Sequence, residues 1–182
     1  MPVVHSFDPP ERFVVGTVGE PGARTFFLQA REGAKLVSVA LEKQQVAVLA
    51  ERVDELLDEV MKSASSVVPA LAPYDLDDNA PLEQPIAEEF RVGTMTLSWD
   101  PDDERVVIEV FPITETEDET EQEPEEMMLV RLEPAHARSF VKRAELVVDA
   151  GRPVCPFCGT AIDPNGHLCV RANGFKRRIS ED

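Results

Sequence analysis

Four side chains near the carboxyl end of the chain have the types and the spacing of a metal site. They form the pattern C-x2-C-x8-H-x-C and are Cys155, Cys158, His167 and Cys169. Three thiolates and one imidazole are ligands that suit tetrahedral Zn²⁺. Because four protein ligands fill that coordination sphere, the pattern predicts one structural zinc ion and leaves no open position for catalysis.

The residues between the two ligand pairs favour their convergence. Gly159 supplies the backbone freedom that a tight turn after the first pair requires. Residues 163–166, Asp-Pro-Asn-Gly, are a strong turn signal that would bring the following residues back beside that pair. His167 and Cys169 are two apart, so on an extended strand both side chains face the same side. We therefore expect a small zinc-knuckle hairpin.

Three other interpretations of the same residues remain open. A redox pair at Cys155 and Cys158 would normally open a helix, whereas Pro164 and Gly166 work against a long helix after Cys158. Catalytic zinc would need an open coordination position, and ordinary unligated thiols would leave the motif without a role. We favour structural zinc over all three. Because the three cysteines fall in one short window, we expect no disulfides.

The charge of the chain limits its partners. The formal net charge is −17 over 182 residues, which works against general binding to nucleic acid or to an anionic membrane, because both need clustered Lys and Arg. The C-terminal stretch differs, since residues 152–178 carry five basic side chains and one acid. The candidates for contact with phosphate are Arg171, Lys176, Arg177 and Arg178. Docking on the acids of the rest of the chain, or exposure to solvent, is the favoured alternative.

A weak internal repeat organises the rest of the chain. Residues 13–17, FVVGT, recur at 90–94 as FRVGT, and each copy is followed by two further strand-like runs and an amphipathic segment of helical period. Short connections within each copy favour antiparallel neighbours. We predict an α+β fold in which two β-β-β-α repeats, related by a pseudo-twofold axis, form an antiparallel sheet with the helices on one face.

These segments predict four regions. Residues 1–62 form the first repeat, 63–86 a linker rich in Pro and Asp, 87–151 the second repeat, and 152–182 the zinc-binding tail. The linker is long enough to cross the surface of the protein. The second repeat contains an acidic loop at 115–126, where no packed structure is expected.

The other residues supply no catalytic motif. His5 and His136 are isolated in the sequence, and the chain contains no P-loop, no G-x-G-x-x-G and no G-x-S-x-G pattern. No apolar run is long enough to span a membrane, and the first residues do not have the pattern of a secretory signal. We therefore expect a cytoplasmic protein that is not an enzyme and that has a protein partner.

The tail also carries a family resemblance. Its pattern, CPxCG followed by DPxGHxCxRxNG, together with FDPPERF at residues 7–13, resembles an actinobacterial family of proteins of unknown function. Val170 departs from that pattern, in which a proline follows the last cysteine. The resemblance implies a bacterial cytosolic protein that is often encoded near mycothiol-synthesis genes. It implies no activity.

Three hypotheses of function follow. The first is a zinc-binding adaptor or regulatory protein that presents a surface to another protein. The second is a nucleic-acid-binding protein that uses the basic residues beside the zinc knuckle. The third is an accessory factor or enzyme of thiol metabolism, which only the implied gene neighbourhood suggests.

Overall fold

The computed structural model describes residues 3–20, 22–63, 68–114 and 124–150. Within these ranges the chain is a mixed α+β protein, as the sequence predicts, with a seven-stranded sheet and two α-helices. The strands are β1 (Val3–Phe7), β2 (Arg12–Val18), β3 (Thr25–Glu32), β4 (Lys35–Leu41), β5 (Glu88–Asp100), β6 (Arg105–Pro112) and β7 (Glu126–Leu132). The helices are α1 (Lys43–Ser63) and α2 (Pro134–Asp149), and a 3₁₀ turn covers Tyr74–Leu76. Neither of these two helices combines the length and the apolar composition of a membrane span.

The strand order across the sheet is β1-β7-β6-β5-β4-β3-β2. The pairs β2–β3, β3–β4, β5–β6 and β6–β7 are antiparallel, but β4 pairs with β5 and β1 pairs with β7 in parallel. The predicted antiparallel sheet is therefore wrong in two pairings, and the sheet is mixed. The parallel pair at the centre forms because α1 and the linker make a long crossover between β4 and β5.

The two halves of the sheet follow each other in the same direction. β2, β3 and β4 occupy successive positions, and β5, β6 and β7 continue in the same order, with β5 parallel to β4. In a curled sheet, a twofold axis that runs along the strands keeps both the order and the direction of the strands in the second half. The topology therefore agrees with the predicted pseudo-twofold relation, which stays a prediction.

The sequence does not predict β1, and this strand determines the shape of the sheet. Only residues 8–11 separate β1, at one edge, from β2 at the other. Such a segment spans at most about 17 Å when fully extended, so the sheet must curl until its edges approach. α2 follows β7 but packs against β2, where the rings of Phe140 and Phe13 stack with centroids 4.6 Å apart. This contact joins the two halves around one core.

The spacing of apolar residues determines which face of each element is buried. In β6 and β7 every second residue is buried, which follows the two-residue period of a strand. In α1 the buried positions recur at intervals of three or four, as the sequence predicts, and they include Val46, Leu49, Val53, Leu57 and Val60. α2 begins with Pro134, which is tolerated in a first helical turn because no intrahelical bond is lost there.

The linker covers the outer face of the first half of the sheet. Most residues of β2, β3 and β4 are buried on both faces, whereas β5, β6 and β7 alternate between buried and more exposed positions. Leu82 of the linker packs against Val14, Phe27 and Ala40 on this outer face. Gly16 lies directly under Leu82, because a Cβ at this position would overlap the Cγ atom of that side chain.

We expect Gly16→Ala to lower the free energy of unfolding by about 2 kcal/mol, because a methyl group added to a filled site forces its neighbours apart. In a Leu82→Ala background the same substitution should cost less than about 0.5 kcal/mol, since the overlapping side chain is gone. Urea unfolding of the unsubstituted protein, the two single variants and the double variant gives the cost of Gly16→Ala with and without the Leu82 side chain. Additive effects of the two substitutions would show that Leu82 does not cover Gly16.

Candidate functional site

All of the site residues that the sequence predicts lie outside the described part of the chain. They are the zinc ligands Cys155, Cys158, His167 and Cys169 and the basic residues Arg171, Lys176, Arg177 and Arg178. Residues 115–123 of the predicted acidic loop also lie outside it. The chain reaches the tail from the end of α2, where Arg24, in the turn between β2 and β3, donates to the carbonyl oxygen of Ala150. Ala150, the last described residue before the tail, is therefore held at this corner of the body.

The described residues form a cleft whose lining includes both apolar and charged or polar side chains. It has a volume of about 390 Å³ and lies between β2, α2 and the linker. Arg12 comes from β2, Asp78 from the linker, and His136, Ser139 and Arg143 from α2. The intervals of three and four residues in α2 put these three side chains on one face of the helix. His136 therefore lines a cleft, which its isolated position in the sequence does not indicate.

Arg12 and Arg143 hold the linker in place, and together with Asp78 they are called the arginine clasp. Arg12 donates from Nε to Oδ2 of Asp78 at 2.7 Å and from Nη2 to the carbonyl oxygen of Ala80 at 2.9 Å. Arg143 donates from Nη1 to the carbonyl oxygens of Asp78 and Ala80 at 2.8 and 2.7 Å. Its Nε donates to the carbonyl oxygen of Val15 at 2.8 Å. Arg143 thus joins α2, β2 and the linker.

The arginine clasp favours the ionised form of its carboxylate. The hydrogen bond from Arg12 holds the pKa of the Asp78 carboxyl below its usual range, although partial burial acts in the opposite direction. The stabilisation from this lowered pKa is present above the unfolded pKa and is lost as the pH falls through the folded one. Burial lowers the pKa of Arg143, and the carboxylate of Asp78 opposes that shift. These charges are engaged with the linker, an arrangement that suits anchoring better than acid–base catalysis.

Gln29 anchors the linker from within the sheet. Its side chain is buried in β3, where Nε2 donates to the carbonyl oxygen of Glu83 at 3.0 Å and Oε1 accepts from the backbone N–H of Glu83 at 2.9 Å. Nε2 also donates to Oγ of Ser38 at 3.0 Å. A buried amide needs such partners, because an unpaired polar group is costly in the interior. A glutamine inside an apolar strand is therefore the sequence signal that could have indicated a covering segment.

Arg138 ties the start of the linker to both helices. It lies on α2 and is only 5% exposed. Its Nη1 and Nη2 donate to the carboxylates of Asp54 and Asp58 on α1 at 2.5 and 2.8 Å, and its Nε donates to the carbonyl oxygen of Pro69 at 2.9 Å. The two aspartates are one helical turn apart and so receive the two ends of the guanidinium. The linker is thus fixed near its start by Arg138, then by the arginine clasp, and finally by Gln29.

A second group of polar side chains lies where β1, β5 and β7 begin. His5 is not isolated in the fold, since its Nε2 is 3.2 Å from Oε2 of Glu126 on β7 and 3.7 Å from Oε1 of Glu89 on β5. We call these three residues the β1 cluster. All of their potential ligand atoms lie within 4.8 Å of one another. Sequence spacing gives no signal for the β1 cluster, because its members are far apart along the chain and only the sheet brings them together.

Comparison with known proteins finds a family but no characterised relative. A family model described as a protein of unknown function, DUF3090, matches residues 5–169. The matched range begins at His5 and ends at Cys169, the last of the predicted zinc ligands. No curated protein and no solved structure matches the chain.

Proposed function

The chain belongs to the DUF3090 family of proteins of unknown function, and we propose that it is a non-enzymatic zinc-binding adaptor or regulatory protein. The observation that carries this proposal is the ligand pattern of Cys155, Cys158, His167 and Cys169. The pattern lies wholly within the residues that match the family and begins shortly after the end of α2. Four ligands of these types close a zinc site against substrate, so the metal serves structure.

Zinc binding would stabilise a folded tail, because the few apolar residues of the tail are not enough to do so alone. Metal binding at structural zinc sites releases on the order of 10 kcal/mol, which is enough to fold a small module. Three thiolates and one Zn²⁺ carry a net charge of about −1, so the five basic side chains of residues 152–178 keep this stretch positive. The folded tail would then present a basic surface beside an acidic body.

The body supports a role as a scaffold. The cationic groups of the cleft, Arg12 and Arg143, donate to the carbonyl oxygens of the linker and hold it against the sheet. Arg24 holds Ala150, the last described residue before the tail. These contacts support the proposal, because a surface that binds a partner needs a rigid base if ordering costs are to stay small.

A nucleic-acid-binding role is the second candidate, and the excess of basic residues in the tail favours it. Phosphate contacts weaken steeply as salt rises. If the tail binds nucleic acid, the full chain binds it at low salt, and a chain carrying Arg177→Glu and Arg178→Glu does not. A flat binding curve for the full chain at low salt would remove this candidate.

A pull-down from a nuclease-treated lysate tests the adaptor role. The resemblance to actinobacterial proteins encoded near mycothiol-synthesis genes makes the cytoplasm of such a bacterium the proper source. The baits are the full chain, its Cys158→Ser variant and a chain that ends at Arg152. We expect a protein that the full chain retains and that both altered baits lose, because both lack the zinc-ordered tail.

The matched control for this experiment is Ser180→Ala, which changes the tail outside the ligand set and should retain the same protein. The interaction is then measured with the purified partner in solution. If all baits retain the same set of proteins, the tail has no adaptor role and the proposal is wrong.

A further inference from the structure

The β1 cluster has the distances of a metal site. Ligand atoms bound at about 2.0–2.2 Å to one ion lie about 2.8–3.6 Å from each other in octahedral or tetrahedral geometry. His5 Nε2 and Glu126 Oε2 are 3.2 Å apart, and His5 Nε2 and Glu89 Oε1 are 3.7 Å apart. Small side-chain rotations would therefore bring all three atoms to bonding distance from a single ion.

The sheet positions these side chains independently of any ion. Val3 pairs with Glu126 in the parallel ladder between β1 and β7, so His5, two residues further along β1, lies on the same face as Glu126. That face points towards the core, because Phe7, which lies two residues after His5 on the same face of β1, is fully buried. The imidazole and the carboxylate of Glu126 thus lie at the rim of the core, and Glu89 approaches them from the start of β5.

Among the described residues, no protein cation balances the charge of the β1 cluster. Within the described ranges, Glu89 and Glu126 have His5 as their ionic partner and no Lys or Arg within 4.0 Å. Two carboxylates beside one imidazole therefore leave excess negative charge, and screening by water is reduced at His5 and Glu126, which are partly buried, although Glu89 is exposed. A bound cation would balance that charge.

From this geometry we infer that His5, Glu89 and Glu126 bind one divalent transition-metal ion. Carboxylate oxygens suit Mn²⁺ and imidazole suits Fe²⁺ and Zn²⁺. Three protein ligands leave coordination positions for water, unlike the closed set of four in the tail. This site is independent of the proposed adaptor role, and the chain would hold two metals of different kinds: a permanent one in the tail and an exchangeable one on the sheet.

To test this site, the zinc-loaded full chain is titrated with Mn²⁺ and the titration is monitored by electron paramagnetic resonance. Bound Mn²⁺ loses the sharp six-line signal of the free ion, so the signal reports how much Mn²⁺ remains free. We expect saturation at one Mn²⁺ per chain. Glu126→Gln keeps the size of the side chain and removes its charge. It should weaken Mn²⁺ binding by at least about tenfold, because the loss of a residue that only hydrogen-bonds to a metal ligand already lowers metal affinity by that factor. Cys158→Ser should leave Mn²⁺ binding unchanged, which separates this site from the tail.

The matched controls are Glu88→Gln and Glu125→Gln, which remove exposed carboxylates adjacent to the cluster and should leave the affinity unchanged. Thermal unfolding followed by circular dichroism checks that every variant is folded. The site does not exist if Mn²⁺ binding fails to saturate, or if Glu126→Gln and Glu125→Gln have the same affinity. Binding by a diffuse acidic surface would produce the second of these results.

Discussion

Phe140→Ala is expected to lower the free energy of unfolding by about 4 kcal/mol, the usual cost of removing a buried aromatic side chain. Phe140 is buried in α2, and its ring stacks on Phe13 of β2 at an interplanar angle of 24°. α2 belongs to the second half of the chain and β2 to the first. The substitution should therefore destabilise both halves equally, because one core joins them.

Two probes in the unfolding experiment distinguish the halves. Trp99, the single tryptophan, reports on β5, and hydrogen exchange at the amides of β3 reports on the first half. Both should show the same loss of stability in Phe140→Ala. Leu146→Ala is the matched control, because this side chain on the same helix is 54% exposed and should change stability by less than about 0.5 kcal/mol. Two separate transitions would contradict a single shared core.

Arg143→Met should lower the free energy of unfolding by about 3 kcal/mol and should release the middle of the linker. The carbonyl oxygens of Val15, Asp78 and Ala80 would each lose a donor, while methionine retains the packing of the aliphatic stem. Faster hydrogen exchange at Ala80, whose amide donates to the Asp78 carboxylate, should accompany the loss. Urea unfolding and exchange measured on the same sample give both quantities.

One further substitution separates the geometry of this arginine from its charge, and a second, at an exposed arginine, is the control. Arg143→Lys keeps the charge but not the planar fork, and it should recover less than half of the lost stability. Arg52→Met removes an arginine from α1 whose side chain is 70% exposed and whose partner Glu55 is 3.8 Å away. A surface pair of this kind contributes about 0–1 kcal/mol. Equal effects of Arg52→Met and Arg143→Met would show that the arginine clasp does not hold the linker.

Sequence reasoning identifies the elements of this fold whose signal is local. The helical period of Val46, Leu49 and Val53 predicts both α1 and its buried face, and Pro134 indicates where α2 begins. The repeated FxxGT runs indicate where β2 and β5 lie. In each case the pattern is contained within a few consecutive residues, so the rest of the chain is not needed to interpret it.

Pairings between distant segments are not predictable from such patterns. β1 has only five residues, and its apolar residues Val3, Val4 and Phe7 do not alternate with polar ones. Its partner β7 is more than a hundred residues away along the chain. The parallel pairing of β4 and β5 depends on a crossover whose path the linker composition does not specify. The β1 cluster follows from these two pairings and the curl of the sheet, so it could not be predicted without them.

The predicted zinc site is of the local kind, because its four ligands lie within fifteen residues of each other, from Cys155 to Cys169. Spacing and turn signals alone therefore suffice to predict it. The function of the tail, in contrast, cannot be predicted from neighbouring residues alone. It depends on what the basic residues after Cys169 contact, and their composition alone does not identify a partner.

Native mass spectrometry of the purified full chain, after dialysis against a weak chelator that removes loosely held ions, tests the central claim most directly. We expect one Zn²⁺ per chain and no thiol that reacts with an alkylating reagent until the protein is unfolded. Cys158→Ser should lose this ion, and Glu126→Gln should keep it. A metal-free full chain in which all three cysteines react freely would contradict the claim that the tail is a zinc-ordered module.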